Sequence, residues 1–212
     1  LHGCIARGSD MVKFVDAIKN VQILHITYAD IDFSEVKPPF VTTSPSRLPN
    51  LQHLDIFQPD GFSGDISPII QHAPNLRSLK LDLLGSEPHL RELSVSLQGC
   101  PKLQDISFYS MILSSEESTM ILDAITDAKQ LDWEEAEFSQ QALRSLISRH
   151  ARTITLLHLS KSPGFTSSMT QTIMTNCPLL ESLSLDTILG TDLVRIETVD
   201  QRNQSDSGDV ER

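Results

Sequence analysis

One pattern of apolar residues recurs along this chain at a nearly constant interval. Each copy contains an apolar residue, two variable residues, a second apolar residue, one variable residue and a third apolar residue. Successive copies are separated by 30, 25, 27, 25, 26 and 26 residues, and they begin at Val21, Leu51, Leu76, Leu103, Ala128, Ile154 and Leu180. A nearly constant period of this length indicates a solenoid in which one structural unit is repeated.

The last two apolar residues of each copy predict a β-strand. Side chains two apart on an extended strand point to the same face, so Leu54 and Ile56 of the second copy enter one core. The segment after the fourth copy has helical spacing, and Ser114 and Glu117 at its start are placed to form a capping box. Each unit therefore reads as a strand, a loop, a helix and a return, and stacked units bury the apolar face that one strand cannot.

Proline marks the return from helix to strand. It stands two residues before the first apolar position in four copies, at Pro49, Pro74, Pro101 and Pro178. Because proline does not continue a helix easily, it fits a chain that leaves a helix and enters a strand. In two copies the proline follows a cysteine, Cys100 or Cys177. Three strand steps of about 4.8 Å put these thiols roughly 14 Å apart, which excludes a disulfide, and we expect both to be buried and structural.

The pattern Cys-Pro-x-Leu-x-x-Leu-x-Leu, within units of about 26 residues, resembles the ribonuclease-inhibitor-like repeats of F-box/leucine-rich-repeat proteins, especially the irregular repeats of fungal members. The resemblance covers about residues 9–190. It implies an α/β leucine-rich-repeat horseshoe of about seven units, with parallel strands on the concave face and helices on the convex face. No Asn recurs after the third apolar position, so we expect no asparagine ladder. We predict this domain, with an irregular first repeat, over residues 1–199, and a disordered polar tail over 200–212.

The resemblance also implies a function, namely the substrate-recognition part of an F-box-type ubiquitin ligase subunit in the cytoplasm or nucleus. The F-box itself, a helical module that begins with a Leu-Pro-x-Glu pattern, is not found in this chain, which starts at Leu1 rather than Met. We expect any F-box to lie upstream of Leu1, and a Skp adaptor is a partner only if it does. The alternative is a stand-alone leucine-rich-repeat scaffold or inhibitor without a connection to ubiquitin.

The charge balance narrows the class of partner. The chain carries 28 acidic and 17 basic residues, for a net charge of −11. Nucleic-acid backbones and anionic membranes attract clustered Lys and Arg, so we expect neither as a partner. No apolar run approaches the roughly 20 residues that span a bilayer. Three cysteines are too few for a disulfide framework, which fits a reducing compartment.

No sequence motif indicates catalysis or a metal centre. The chain lacks a P-loop, a G-x-S-x-G elbow, an H-E-x-x-H helix and a C-x-x-C pair. The glycine-containing stretch 61–65 reads as a loop turn, because no lysine follows it. His25, His53 and His158 face away from the core on different strands, so we do not expect them to converge on one ion. We therefore expect no enzyme activity, no cofactor and no metal.

The polar side chains between the strand leucines are the candidate binding surface. They comprise His53, Asp55, Phe57, Lys80, Asp82, Asp105, Ser107, Tyr109, Asp132, Glu134, His158 and Asp186. Acids outnumber the single base on this predicted concave face, and its two aromatic residues are of a type that is favoured at binding hot spots. The surface therefore favours a protein partner with a basic segment. The alternative is that the acids only keep the sheet soluble.

Overall fold

The computed structural model describes residues 6–7, 17–27, 31–32, 48–57, 66–82, 90–186 and 194–197. Its strands are β1 Ala6–Arg7, β2 Ile23–Thr27, β3 Ile31–Asp32, β4 His53–Phe57, β5 Ser78–Asp82, β6 Asp105–Tyr109, β7 Gln130–Glu134, β8 Leu156–Ser160, β9 Ser182–Asp186 and β10 Val194–Glu197. Its named helices are α1 Ser67–Gln71, α2 Leu90–Leu97, α3 Ser115–Ala124, α4 Gln140–His150 and α5 Ser167–Asn176. The predicted tail at 200–212 lies outside the described residues.

One open sheet organises these elements. Strands β2 and β4 to β9 lie parallel in chain order, and β10 pairs with β9 antiparallel. Because each connection steps to the next strand in the same direction, right-handed crossovers place the helices on a single face. Strands stack at about 4.8 Å and helices at 8–10 Å, so the stack curves with the sheet on its inner, concave side. The predicted α/β solenoid is confirmed.

The separate pair β1–β3 and the strand β10 were not predicted. The β10 strand closes the side of β9 that would otherwise accept another parallel strand. The Ser114 capping box was predicted, and its hydroxyl and the Glu117 carboxylate make the expected reciprocal hydrogen bonds at the start of α3.

Strict register turns the sequence repeat into continuous rows of side chains. Leu54 pairs with Leu79, and Ile56 pairs with Leu81, and the same correspondence runs from β2 to β9. These two rows are buried along the whole sheet. At its centre the rings of Phe108 and Trp133 stack with centroids 5.7 Å apart. The core is therefore an aliphatic column with an aromatic pair in the middle, as the repeat predicts.

One backbone carbonyl in each unit fastens it to the next unit. The Arg77 carbonyl accepts hydrogen bonds from Gln104 N at 2.9 Å and from Asp105 N at 3.0 Å. In each case the acceptor is the carbonyl of the residue just before a strand, and two successive amides of the next unit donate to it. These acceptors are Gln22, Gln52, Arg77, Gln104, Lys129 and Thr155. Because these hydrogen bonds between units use only backbone atoms, the side chain of the residue just before the strand is free to vary. The units are therefore linked by backbone hydrogen bonds, and this link does not require an asparagine side chain.

The Cys-Pro-x-Leu stretches form the return turn. Leu103 N donates to Cys100 O at 3.1 Å, and Pro101 occupies the second position of the turn, where its fixed φ is favourable. Both Cys100 and Cys177 are buried and free, which confirms the structural role predicted for them. The Cys100 Sγ lies 3.6 Å from the carbonyl oxygen of Ile70 in the preceding unit. Burial raises the pKa of the Cys100 thiol to about 11, so this thiol is unreactive at neutral pH.

A histidine stands next to the corresponding position in a later unit, four residues before Ile154. His150 is fully buried, and its Nε2 lies 3.1 Å from the Leu122 carbonyl oxygen. Its Nδ1 accepts a hydrogen bond from Ala128 N at 3.3 Å. These contacts assign a neutral ring protonated on Nε2, because Nδ1 must offer a lone pair. Burial, the largest effect, lowers the pKa of His150.

This histidine makes the solenoid sensitive to acid. The folded-state pKa of His150 lies below its value of about 6.5 in the unfolded chain, so its contribution to stability is complete above pH 6.5. That contribution falls as the pH drops below 6.5, because the unfolded chain then binds a proton that the folded chain excludes. Urea unfolding between pH 8 and 5 measures this loss in the free energy of unfolding. We expect a smaller loss in His150→Asn, which does not titrate.

The exposed His53 supplies the matched control, since His53→Asn is expected to keep the wild-type pH dependence more closely. If the free energy of unfolding has the same pH dependence in His150→Asn and in the wild type, His150 is not the source of the acid sensitivity.

Candidate functional site

The concave face carries three rows of side chains that lie between and beside the buried rows. The first residues of the seven parallel strands are Ile23, His53, Ser78, Asp105, Gln130, Leu156 and Ser182. The middle residues are His25, Asp55, Lys80, Ser107, Asp132, His158 and Ser184. The last residues are Thr27, Phe57, Asp82, Tyr109, Glu134, Ser160 and Asp186. All twelve predicted site residues therefore stand at the first, middle or last positions of strands in one sheet.

A hydrogen-bonded network joins three strands at the centre of this face. The Tyr109 hydroxyl donates to Asp132 Oδ2 at 2.5 Å, and Asp132 Oδ1 lies 2.9 Å from Nδ1 of His158. Burial is the largest of the effects that raise the pKa of Tyr109 to about 12, and the hydrogen bond to the Asp132 carboxylate adds to it. The Asp132 carboxylate is therefore engaged on both oxygens, and it fixes the orientation of the Tyr109 ring.

Two further concave carboxylates also have partners within the protein. Asp55 Oδ2 lies 3.1 Å from Nδ1 of His25 on the neighbouring strand. Glu134 Oε1 accepts from Nζ of Lys161 at 2.6 Å, and Lys161 also reaches Glu135 at 3.3 Å. The predicted excess of free negative charge is therefore smaller than the residue types alone indicate.

Lys161 was missed in the sequence because it lies one residue beyond β8. It adopts a left-handed backbone conformation with φ 50°, and Ser110 and Glu135 at the equivalent positions after β6 and β7 have φ 55° and 63°. This turn takes the chain out of the strand while the Lys161 side chain remains next to Glu134. Its spacing of 26 residues from Glu135, one repeat unit, is the signal that could have identified it.

Asp82, Asp105 and Lys80 carry the other charges near the centre of this face. Within the described part of the chain, neither Asp82, Asp105 nor Lys80 makes a salt bridge or a side-chain hydrogen bond. Burial raises the pKa of Asp105, and the nearby charges of Lys129, His53 and Lys80 partly offset this effect. A half-buried carboxylate with no direct partner is a group that a bound cation can satisfy.

The other predicted residues occupy varied environments. Ser107 is only 9% exposed, so it supports the Tyr109 hydroxyl rather than offering surface to a partner. His53 is exposed, and Phe57 is partly buried beside Asp82. The side chain of Asp186 lies outside the described residues. The histidines do not converge: the described residues contain no group of three or more side chains arranged to hold a metal ion.

Comparisons with known proteins do not identify this site. Neither a scan against protein-family models nor a search of the curated proteins finds a significant match to this chain. Among the helices that the structure describes, none has the length and apolar composition needed to cross a bilayer.

The ionisation of Tyr109 tests the central network. In a Tyr28→Phe background, Tyr109 is the only tyrosine, and absorbance at 295 nm follows its ionisation. We expect Asp132→Asn to lower the pKa of Tyr109, because the nearby negative charge is removed. The pKa should remain above the ordinary value of about 10, because burial is the larger cause.

Asp123→Asn on the exposed side of α3 is the matched control, with circular dichroism to confirm that each variant stays folded at high pH. A Tyr109 ionisation midpoint that does not respond to Asp132→Asn shows that the two side chains do not interact in solution.

Proposed function

We propose that this chain is a protein–protein interaction module that binds its partner through the concave face of the sheet. The observation that carries this proposal is that each parallel strand turns alternate side chains to opposite faces of the sheet. Aliphatic and aromatic residues of the strands fill one side, and the other side presents polar, charged and aromatic side chains in register. A solenoid that leaves one sheet face without helices offers an extended surface of this kind to a partner.

The shape of the surface favours a macromolecule over a small molecule. Seven strands at about 4.8 Å give a length of roughly 30 Å, and five residues of about 3.3 Å give a width of roughly 16 Å. Small molecules are usually bound in clefts that cover most of their surface, whereas this face is an open sheet. The module is proposed to act by binding and to carry no catalytic activity of its own.

We further propose that the module is the substrate-recognition part of an F-box-type ubiquitin ligase subunit in the cytoplasm or nucleus. The support is the resemblance of the Cys100 and Cys177 repeats to those of F-box/leucine-rich-repeat proteins, together with the return turn that these residues form. A second candidate is a stand-alone leucine-rich-repeat scaffold or inhibitor.

Charge reversal on the concave face tests the binding proposal. Immobilised chain is used to capture partner protein, which is quantified for the wild type, Asp105→Lys and Asp132→Lys. Because like charges placed together at an interface cost several kcal/mol, we expect each reversal to weaken capture about 100-fold or more. The control is Glu92→Lys, which places the same change on the exposed side of α2.

Equal losses for the concave and helical variants, with all variants folded by circular dichroism, place the interface elsewhere. The ubiquitin connection has its own test: the full-length gene product is mixed with purified Skp adaptor. Co-purification supports the ligase role, whereas capture of a partner without Skp binding favours the scaffold.

A further inference from the structure

Strands β5 and β6 display alternating charges along their length. Asp105 is level with Ser78 at the start of the two strands, Lys80 is level with Ser107 at their middle, and Asp82 is level with Tyr109 at their end. Along the furrow between these strands, the concave surface therefore carries a negative, a positive and then a negative charge. Neighbouring charges differ by two residue positions, or about 6.6 Å along the strand direction.

Among the described acidic and lysine side chains of the concave face, these three have no direct partner. Asp55, Asp132 and Glu134 on the same face have partners at 2.6–3.1 Å, whereas none of the three furrow charges has one within the described residues. Lys80 is exposed and is level with Asp55, but that carboxylate is paired with His25. The surface pattern that a partner meets here is therefore set by Asp105, Lys80 and Asp82.

The last row of the furrow has the composition of a cation site. Asp82 on β5 is the register partner of Phe57 on β4 and of Tyr109 on β6. A carboxylate between two aromatic side chains suits a guanidinium group, which can pair with the acid and also lie against a ring. Tyr109 is held in place for this contact by Asp132.

The first row carries two groups that a bound donor can contact. Ser78 is only 8% exposed, and no hydrogen bond from its hydroxyl occurs in the part of the chain that the structure describes. It lies directly across from Asp105, whose half-buried carboxylate also has no direct partner. A positively charged donor bound between these two groups satisfies both.

We propose that the furrow over β5 and β6 binds an extended segment of the partner that carries basic, acidic and basic side chains at alternate positions, with arginine preferred over Asp82. This inference rests on the proposed protein-binding function. In an extended chain, residues two apart lie on one face at about 6.6–6.8 Å, which matches the spacing of the furrow charges. The pattern is the same in both directions, so it does not depend on the orientation of the segment.

A single helical turn does not match this surface. Side chains four apart on a helix are only about 6 Å apart, whereas Asp105 and Asp82 differ by four strand positions, or about 13 Å. Two basic residues on one helical turn therefore cannot reach both carboxylates. A helix reaches a similar spacing only with basic, acidic and basic residues at positions i, i+4 and i+8, so a segment with these charges at alternate residues matches the furrow only when it is extended.

Synthetic peptides of fixed composition test the proposal directly. The first has the core Arg-Thr-Glu-Thr-Arg between uncharged flanks, and a second has the same residues in the order Arg-Arg-Glu-Thr-Thr. Fluorescence anisotropy with the purified chain measures both dissociation constants. We expect the alternating peptide to bind about tenfold more tightly, because only it aligns three charge pairs. Equal binding of the two peptides overturns the proposal.

Reversal of the middle charge provides the sharper test. In Lys80→Glu, the preferred core changes from Arg-Thr-Glu-Thr-Arg to Arg-Thr-Arg-Thr-Arg, because the middle of the furrow becomes negative. Asp82→Asn and Asp105→Asn each weaken the alternating peptide, while Asp123→Asn on α3 leaves it unchanged. A preference that does not invert in Lys80→Glu contradicts the assignment, and circular dichroism confirms that this surface change leaves the fold intact.

The two proposals fail in distinguishable ways. If captured partner is lost in Asp132→Lys but the peptides show no charge order, the concave face binds protein and only the furrow assignment is wrong. If concave and helical variants capture partner equally and the peptides also fail, the proposed function is wrong as well.

Discussion

The structure depends on the strict register between neighbouring parallel strands. That register is maintained by the double hydrogen bond that each pre-strand carbonyl accepts from the next unit, for example Arg77 O from Gln104 N and Asp105 N. A shift of one residue would turn every leucine of a strand toward solvent and every polar residue toward the core. Burial of the leucine rows and the carbonyl ladder therefore favour the same arrangement, and together they determine which side chains reach the concave face.

The same register explains why so much of this protein was predictable from its sequence. Residues two apart on a strand share a face, so the apolar frame alone assigned Leu79 and Leu81 to the core and Lys80 to the surface. The prolines identified the return turns, because the second position of such a turn favours their fixed φ. The buried role of Cys100 followed from its place in that turn. These features depend on local geometry that is repeated in each unit.

The details that were missed depend on contacts between units. Two such contacts are the pairing of Asp55 with His25 and that of Glu134 with Lys161. They depend on side-chain rotamers on neighbouring strands, which the alternation within one strand does not indicate. Ser107 is buried although it stands at a polar position of the strand, which alternation alone does not indicate. The antiparallel β10 breaks the repeat, so periodicity could not indicate it. The site that we propose is smaller than the predicted list, and it is centred on β5 and β6.

The central claim is that the concave face, and not the helical face, contacts the partner. Hydroxyl-radical footprinting of the chain with and without its captured partner tests this most directly, because it reports the accessibility of individual side chains. The account predicts slower oxidation of Phe57, Tyr109 and His158 in the complex, with no change at Met174, which is exposed on α5. Protection of Met174 and Val95 on the helices, with Phe57 and Tyr109 unchanged, would contradict it.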